Sequence, residues 1–220
     1  MDEGPQPSST GSGLLISVEG VDGAGKTTQV ALLAGALTAR AYRVVTVREP
    51  GGTAVGELAR QVLLHSQAGA PLDPWAEALL FIAARAQLLT EVIRPALASG
   101  AVVIADRFVD STLAYQGAGR GLDEPALREF HRVACRDTWP DLTVLLRLDA
   151  PTARSRRPHL FSDRMEEVLD STGGAVSAAF DRIAAADPRR VVVVDAGRPA
   201  DQVARDVLTA VLGRIAAPAL

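Results

Sequence analysis

Gly20, Val21, Asp22, Gly23, Ala24, Gly25, Lys26 and Thr27 form the stretch with the plainest chemical content. They fit G-x-x-x-x-G-K-[ST], a glycine-rich loop that cradles phosphates. An apolar run, Leu14 to Val18, precedes them, and a helical stretch, Gln29 to Leu37, follows. In a strand–loop–helix context the backbone N–H groups from Gly20 to Thr28 become an anion nest at the positive end of a helix. Lys26, exposed in that nest, would reach the β- and γ-phosphates of ATP, and the Thr27 hydroxyl would hold Mg²⁺. Lys26 is also the chain's only lysine among 23 basic residues.

Other reactive groups follow further apolar runs. Arg48-Glu49-Pro50-Gly51-Gly52-Thr53 reads either as a turn that brings backbone close to a ligand or as a capped turn with a surface ion pair. Asp106-Arg107-Phe108 puts an acid where it could orient Mg²⁺ and an arginine where it could grip a phosphate. A polar, glycine-rich segment, Val109–Thr112 and Tyr115–Arg120, comes next. Phe81 and Arg85 stand one turn apart on a helix. They suit a base pocket, although this helix read alone favours a half-buried ring beside a solvated charge. Arg154, Arg156, Arg157 and Arg164 make the segment near 150–175 basic, as a solvated helix face or as a lid that brings arginines onto a phosphoryl group. Asp195-Ala196-Gly197-Arg198-Pro199 forms a last turn.

The elements that must position these groups alternate. Five apolar runs (Leu14–Val18, Arg43–Val47, Ala101–Ala105, Leu142–Leu148, Arg190–Val194) are separated by helical stretches. The runs have the continuous Val/Leu/Ile character of parallel strands covered on both faces, which predicts an α/β, doubly wound fold with ligands at the carboxyl ends of the strands. The helix expected over Pro74–Ala98 carries Trp75, Leu79, Ile82, Ala86, Leu89, Ile93 and Leu97 within a stripe about 80° wide. Phe81 and Arg85 lie off that stripe. A helix near Asp123–Arg136 should bury Leu127, Phe130 and Ala134.

The 220 residues suit one domain at about 13–216 after a disordered leader, 1–12. Net charge of −3 argues against sequence-independent nucleic-acid binding, and no apolar run approaches a membrane span. One cysteine, Cys135, excludes an internal disulfide and fits a cytoplasmic protein. His65, His131 and His159 show no metal-ligand spacing.

Together the motifs resemble thymidylate kinase: EGVDGAGKTTQ (19–29), REPGGT (48–53), EALLFIAARAQ (77–87), DRFVDSTLAYQGAGRG (106–121), DRMEE (163–167) and VVVDAGRP (192–199). The resemblance runs from about Leu14 to Leu212. It implies a P-loop kinase fold, a five-stranded parallel sheet with helices on both faces, and a homodimeric, Mg²⁺-dependent transfer of the ATP γ-phosphoryl to dTMP. By resemblance, Asp22 would sit near metal and acceptor phosphate, Asp106 near the metal, and Arg48 and Arg107 on that phosphate. Phe81 would stack on thymine, Arg85 would meet its O4, Thr112 and Gln116 would recognise the base, Tyr115 would test for a missing 2′-hydroxyl, and Arg198 would flank adenine.

Three features depart from the family pattern. Phe108 stands where a tyrosine is usual, the 149–163 stretch is shorter, and Ser171–Ala175 carries Gly173 and Gly174 after DRMEE. Gly23 leaves the P-loop without an arginine, so Arg157 and Arg164 are the arginines expected to close on the phosphates, with Arg154 structural. A kinase for another pyrimidine deoxynucleotide, such as a modified dUMP, and a nucleotide-binding homologue without turnover are the alternatives.

Overall fold

The computed structural model describes residues 13–65, 72–156 and 164–217, with only the helical backbone at 65 and 164–173. The leader expected at 1–12 and Arg157 lie outside the described residues, as does the side chain of Arg164.

Five strands form one parallel sheet in the order β2-β3-β1-β4-β5: β1 Leu14–Glu19, β2 Val44–Arg48, β3 Val102–Asp106, β4 Leu142–Arg147 and β5 Val191–Asp195. Each expected strand is present within a residue or two. Alternation along the strands splits the core. Leu15, Val103 and Ala105 join one cluster, whereas Ile16, Val18 and Ile104 join the larger one. The larger cluster includes Leu33 and Leu37 of α1 (Lys26–Thr38) and Val203, Val207 and Val211 of α9 (Ala200–Ala216). The smaller includes Ile82, Leu88, Leu89 and Ile93 from the long helix. Strand order reverses around β1, so the loop leaving β1 opens at the topological switch point where α/β sheets bind ligands. Among the described residues no helix is long and apolar enough to cross a membrane.

The remaining helices are α2 Ala54–His65, α3 Pro74–Leu88, α4 Arg94–Ala98, α5 Val109–Thr112, α6 Glu124–Ala134, α7 Ala150–Arg156 and α8 Arg164–Ala186. Asp73 starts α3, accepting from the backbone N–H groups of Trp75 and Ala76. The stretch expected as one helix over 74–98 is continuous but passes through a π turn at Leu89–Ile93. Pro95 has no N–H to offer the carbonyl four residues back, and the wider turn absorbs the mismatch.

The expected apolar stripe holds at Ile82, Leu89 and Ile93, which are buried, but two buried charges widen the inner face beyond it. Leu79 is 43% exposed and Trp75 and Ala86 are only partly buried, while Glu77 and Arg85 are almost fully buried. Ionic partners on other elements draw Glu77 and Arg85 inward beside the apolar residues, and Leu79 is the stripe residue left outside. On α6 the buried residues are Leu127 and His131, whereas Phe130 and Ala134 are exposed. The glycine-rich segment after α5 is also helical, as a π helix over Leu113–Gly119.

Candidate active site

The P-loop turns on its glycines. Gly25 caps α1 in a left-handed conformation with no side-chain cap, leaving the first N–H groups of the helix for a ligand. Gly23 has φ of +87°, and a Cβ there would overlap the Ala153 carbonyl of α7, so the loop and the helix above it meet where only glycine fits. Lys26 is buried, contrary to its expected exposure, and its Nζ donates to the Val21 carbonyl at 2.9 Å and to Asp22 Oδ1 at 3.4 Å. Burial and then the Arg107 charge bring its pKa down to about 8, against the pull of Asp22. At neutral pH it remains mostly cationic.

Thr27 Oγ1 donates to Asp106 Oδ2 at 2.6 Å, so hydroxyl and carboxylate oxygens converge in the open cleft. Hard oxygen donors of this kind fit Mg²⁺. Among the described residues no cluster of three or more Asp, Glu, His or Cys could hold a metal. Thr27 and Asp106 would therefore share the ion with phosphate oxygens and water.

Parallel register sets Val18 beside Asp106, which brings the end of β3 against the P-loop strand. Arg107, the next residue, has φ of +71°. Its Nη1 donates to the Gly20 carbonyl at 3.2 Å and to Ser111 Oγ at 2.9 Å. Its Nη2 donates to Asp22 and, at 3.3 Å, to the Tyr115 hydroxyl, and the guanidinium lies 5.0 Å from the Tyr115 ring centre. Burial works against the Asp22 carboxylate, but Arg107 and Lys26 outweigh it and hold its pKa well below the usual range. Burial likewise pushes the Tyr115 phenol up.

Beside this cluster a cavity of about 140 Å³ is lined by Phe81, Arg85, Arg107, Thr112, Tyr115 and Gln116, with Asp22 at its P-loop end. These are seven of the eight residues expected to serve an acceptor. Arg85 is 1% exposed: its Nε donates to Glu49 Oε2 at 2.7 Å, and its Nη2 donates to Thr112 Oγ1 at 2.9 Å. Its face rests on Phe108, 5.1 Å from the ring centre. Arg85 Nη1 and Glu49 Oε1 are buried without a hydrogen-bond partner. A buried donor without a partner beside a cavity is a demand for a ligand acceptor. Burial pushes the Glu49 pKa up, with Arg85 opposing. Gln116 Nε2 donates to Glu77 Oε1 at 3.0 Å, and Arg120 grips the same carboxylate with Nε and Nη2.

Arg48, the eighth, stands apart. Its side chain is 56% exposed, lies 3.4 Å from Glu57, and borders the wider P-loop cleft rather than the cavity. Gly23, Gly25, Lys26, Thr27, Thr28 and Asp106 line that cleft too. Ala24 is buried beneath it, and the Gly20 carbonyl faces Arg107. Arg198 borders neither space and pairs with Asp206.

Four groups lie within the motifs or the basic segment without a role read from them. Glu19 is fully buried against the Phe108 N–H and the Ser111 hydroxyl. Burial first and Asp110 second push its pKa up to about 7, with Arg107, Ser111 and Phe108 opposing. Glu49 is a buried ion-pair partner, not half of a surface pair. Glu77 precedes Phe81 and Arg85 by four and eight residues, so helical spacing alone could have placed it on their face. Arg156 is the described α7 arginine at the P-loop cleft, donating to the Ala196 carbonyl at 2.9 Å.

Comparison with known proteins agrees with this geometry. The thymidylate kinase family model matches residues 18–207. A thymidylate kinase of Thermomicrobium roseum is 51% identical over 193 residues, covering 86% of this chain and 90% of that one. One of Bifidobacterium longum is 47% identical over 194 residues, covering 87% and 94%. The crystal structure of thymidylate kinase from Ehrlichia chaffeensis superposes with a TM-score of 0.74 at 33% identity, covering 92% of this chain and 99% of that one. With a P-loop, a strand-end Asp-Arg pair and a cavity between them, matched over nearly its whole length, the chain belongs to the thymidylate kinase family.

Proposed function

We propose that this protein transfers the γ-phosphoryl group of ATP to dTMP, giving dTDP and ADP. The observation that carries the reading is Arg85, a buried guanidinium whose Nη1 is without a partner, lining a cavity that also holds Phe81 and ends at Arg107 and Asp22. A donor-only guanidinium suits a base carbonyl, the ring suits stacking, and Arg107 suits the monophosphate. Tyr115, buried in the lining of the same cavity, is the residue that would exclude a ribose 2′-hydroxyl.

A monophosphate with a second pKa near 6 is largely dianionic at pH 7, so the acceptor needs no general base. What remains is in-line alignment of two anions and neutralisation of their charge. Lys26 and the P-loop N–H groups hold the donor phosphates, and Arg107 holds the acceptor against repulsion. Thr27 and Asp106 would hold Mg²⁺, which would supply charge neutralisation for the donor phosphates. Arg156 fits the rim of the donor site, and Arg157 and Arg164, by sequence, are the arginines proposed to meet the transferring group.

The functional form is a homodimer. Leu58 and Val62 on α2, Leu79 on α3, and Phe130 and Val133 on α6 are each at least 43% exposed. These helices pack side by side, so the residues form one apolar face. Use of ATP and the single cysteine suit the cytoplasm.

A coupled ADP-release assay over dTMP, dUMP, dCMP, UMP and no acceptor tests the reading. The expected order is dTMP first, dUMP next and clearly above UMP, and dCMP at background. Equal rates with UMP and dUMP would remove the ribose check, and a best rate with dCMP would overturn Arg85 as reader of a carbonyl.

A further inference from the structure

β1 ends in an acid that phosphoryl transfer does not require. Glu19 has no exposed surface, and both its oxygens are engaged: Oε1 accepts from the Phe108 N–H at 2.7 Å and Oε2 from Ser111 Oγ at 2.6 Å. Both contacts lead to Arg107. Phe108 N belongs to the peptide that follows Arg107, whose φ of +71° is a left-handed conformation that a side chain disfavours. Such a conformation persists only where its surroundings hold it. Here the Arg107 N–H bonds the Val18 carbonyl at 3.1 Å, and Glu19 fixes the next N–H. The second contact reaches the other end of the residue. Ser111 Oγ gives its proton to Glu19 and so presents lone pairs to Arg107 Nη1, 2.9 Å away. Backbone and guanidinium are thus tied to one carboxylate, located one residue before the P-loop.

We propose that Glu19 is the positioning residue for Arg107, fixing its left-handed turn through Phe108 and aiming its guanidinium through Ser111. The proposal rests on the reading that Arg107 binds the acceptor phosphate. Glu19 thereby joins the donor and acceptor halves of the site. The Gly20 carbonyl, next in sequence, accepts from the same guanidinium.

The two contacts can be separated. In Glu19→Gln the amide oxygen still accepts from Phe108 N–H, but the amide nitrogen only donates, so the Ser111 hydroxyl loses its acceptor and its oxygen is shared between the amide and Arg107. Ser111→Ala removes the same contact from the other side. Loss of one hydrogen bond in a charged network should raise KM for dTMP about tenfold in either variant, with KM for ATP within about twofold of the parent. Acting through one contact, the two changes should not add: the double variant should match Ser111→Ala. Glu19→Ala, which also frees the backbone, should lose about a hundredfold in kcat/KM for dTMP. An unchanged KM for dTMP in Glu19→Gln, additive losses in the double variant, or an equal rise in KM for ATP would overturn the proposal. Arg107→Ala separates it from the reading beneath it. If that variant keeps the parent KM for dTMP, the role of Arg107 fails. If it raises KM while Glu19→Gln does not, only the role of Glu19 fails.

Discussion

Two of the arginine–carboxylate pairs that, among the described residues, put a carboxylate in the core are built differently. Arg190 and Asp110 meet by two bonds, Nη1 to Oδ2 at 2.7 Å and Nη2 to Oδ1 at 3.0 Å. Thr143 Oγ1 adds a bond to Asp110 and meets Ser17 Oγ at 2.8 Å, so the pair locks β1 and β4 to the helix after β3. Arg85 and Glu49 are bound by one carboxylate oxygen, and each keeps a buried polar atom without a partner. The first pair has no demand left over, whereas the second borders a cavity with one donor and one acceptor still to satisfy. A buried ion pair contributes little net stability, but breaking a satisfied one leaves an uncompensated charge. The difference separates a scaffold from a reading head. An aromatic chain joins them: Arg85 on Phe108, Phe108 edge-on to His131, His131 edge-on to Trp139, and Trp139 beneath Arg190.

The largest expected effect is on the reading head. Arg85→Met should lower kcat/KM for dTMP by about 10³-fold, because the base loses a charge-assisted bond in a desolvated site. Its stability cost should stay under about 2 kcal/mol, since the Glu49 left behind, already pushed upward in pKa, can take up a proton. Steady-state kinetics with urea unfolding of the same variant checks both. Asp110→Ala should show the reverse balance, costing about 3 kcal/mol in urea unfolding, because it takes the two-bond carboxylate from Arg190 and leaves it only Asp187 and Thr143. If Arg85→Met lost as much stability as Asp110→Ala, the contrast between the two pairs would collapse.

A smaller effect tests the link between them. His131 Nε2 donates to the Thr138 carbonyl at 2.9 Å, while Nδ1 is buried without a partner. Burial first, and then the Arg85 charge, bring its pKa from 6.5 down to about 4. Between those values the unfolded chain takes up a proton that the folded protein refuses, so stability falls as pH drops from about 6.5 to 4. His131→Gln keeps a donor for Thr138 and removes the titration. Its unfolding free energy should lose on the order of 1–2 kcal/mol less than the parent between pH 6.5 and 4.5. Parallel pH profiles would show that this ring does not resist charge between the two arginines.

Much of the molecule is legible in its order of residues. The P-loop can be read because its parts are contiguous, and the five strands because a buried parallel strand must be apolar throughout. Family motifs also marked Phe81, Arg85, Thr112, Tyr115 and Gln116, which the structure gathers around one cavity. What the order of residues could not show is which charges would be buried. Helical periodicity assigned the inner face of the long helix to apolar side chains. Arg85 went inward because Glu49, 36 residues earlier, waits at the end of β2, and Glu77 went inward to meet Arg120, 43 residues later. Leu79 was left exposed in exchange. Glu19 and Phe108 lie 89 residues apart and became partners only when β1 and β3 aligned. Local sequence determines periodicity and turn chemistry because those depend on near neighbours. A charge enters the core only where a partner from a distant segment offsets its desolvation, and tertiary structure alone decides where that partner stands.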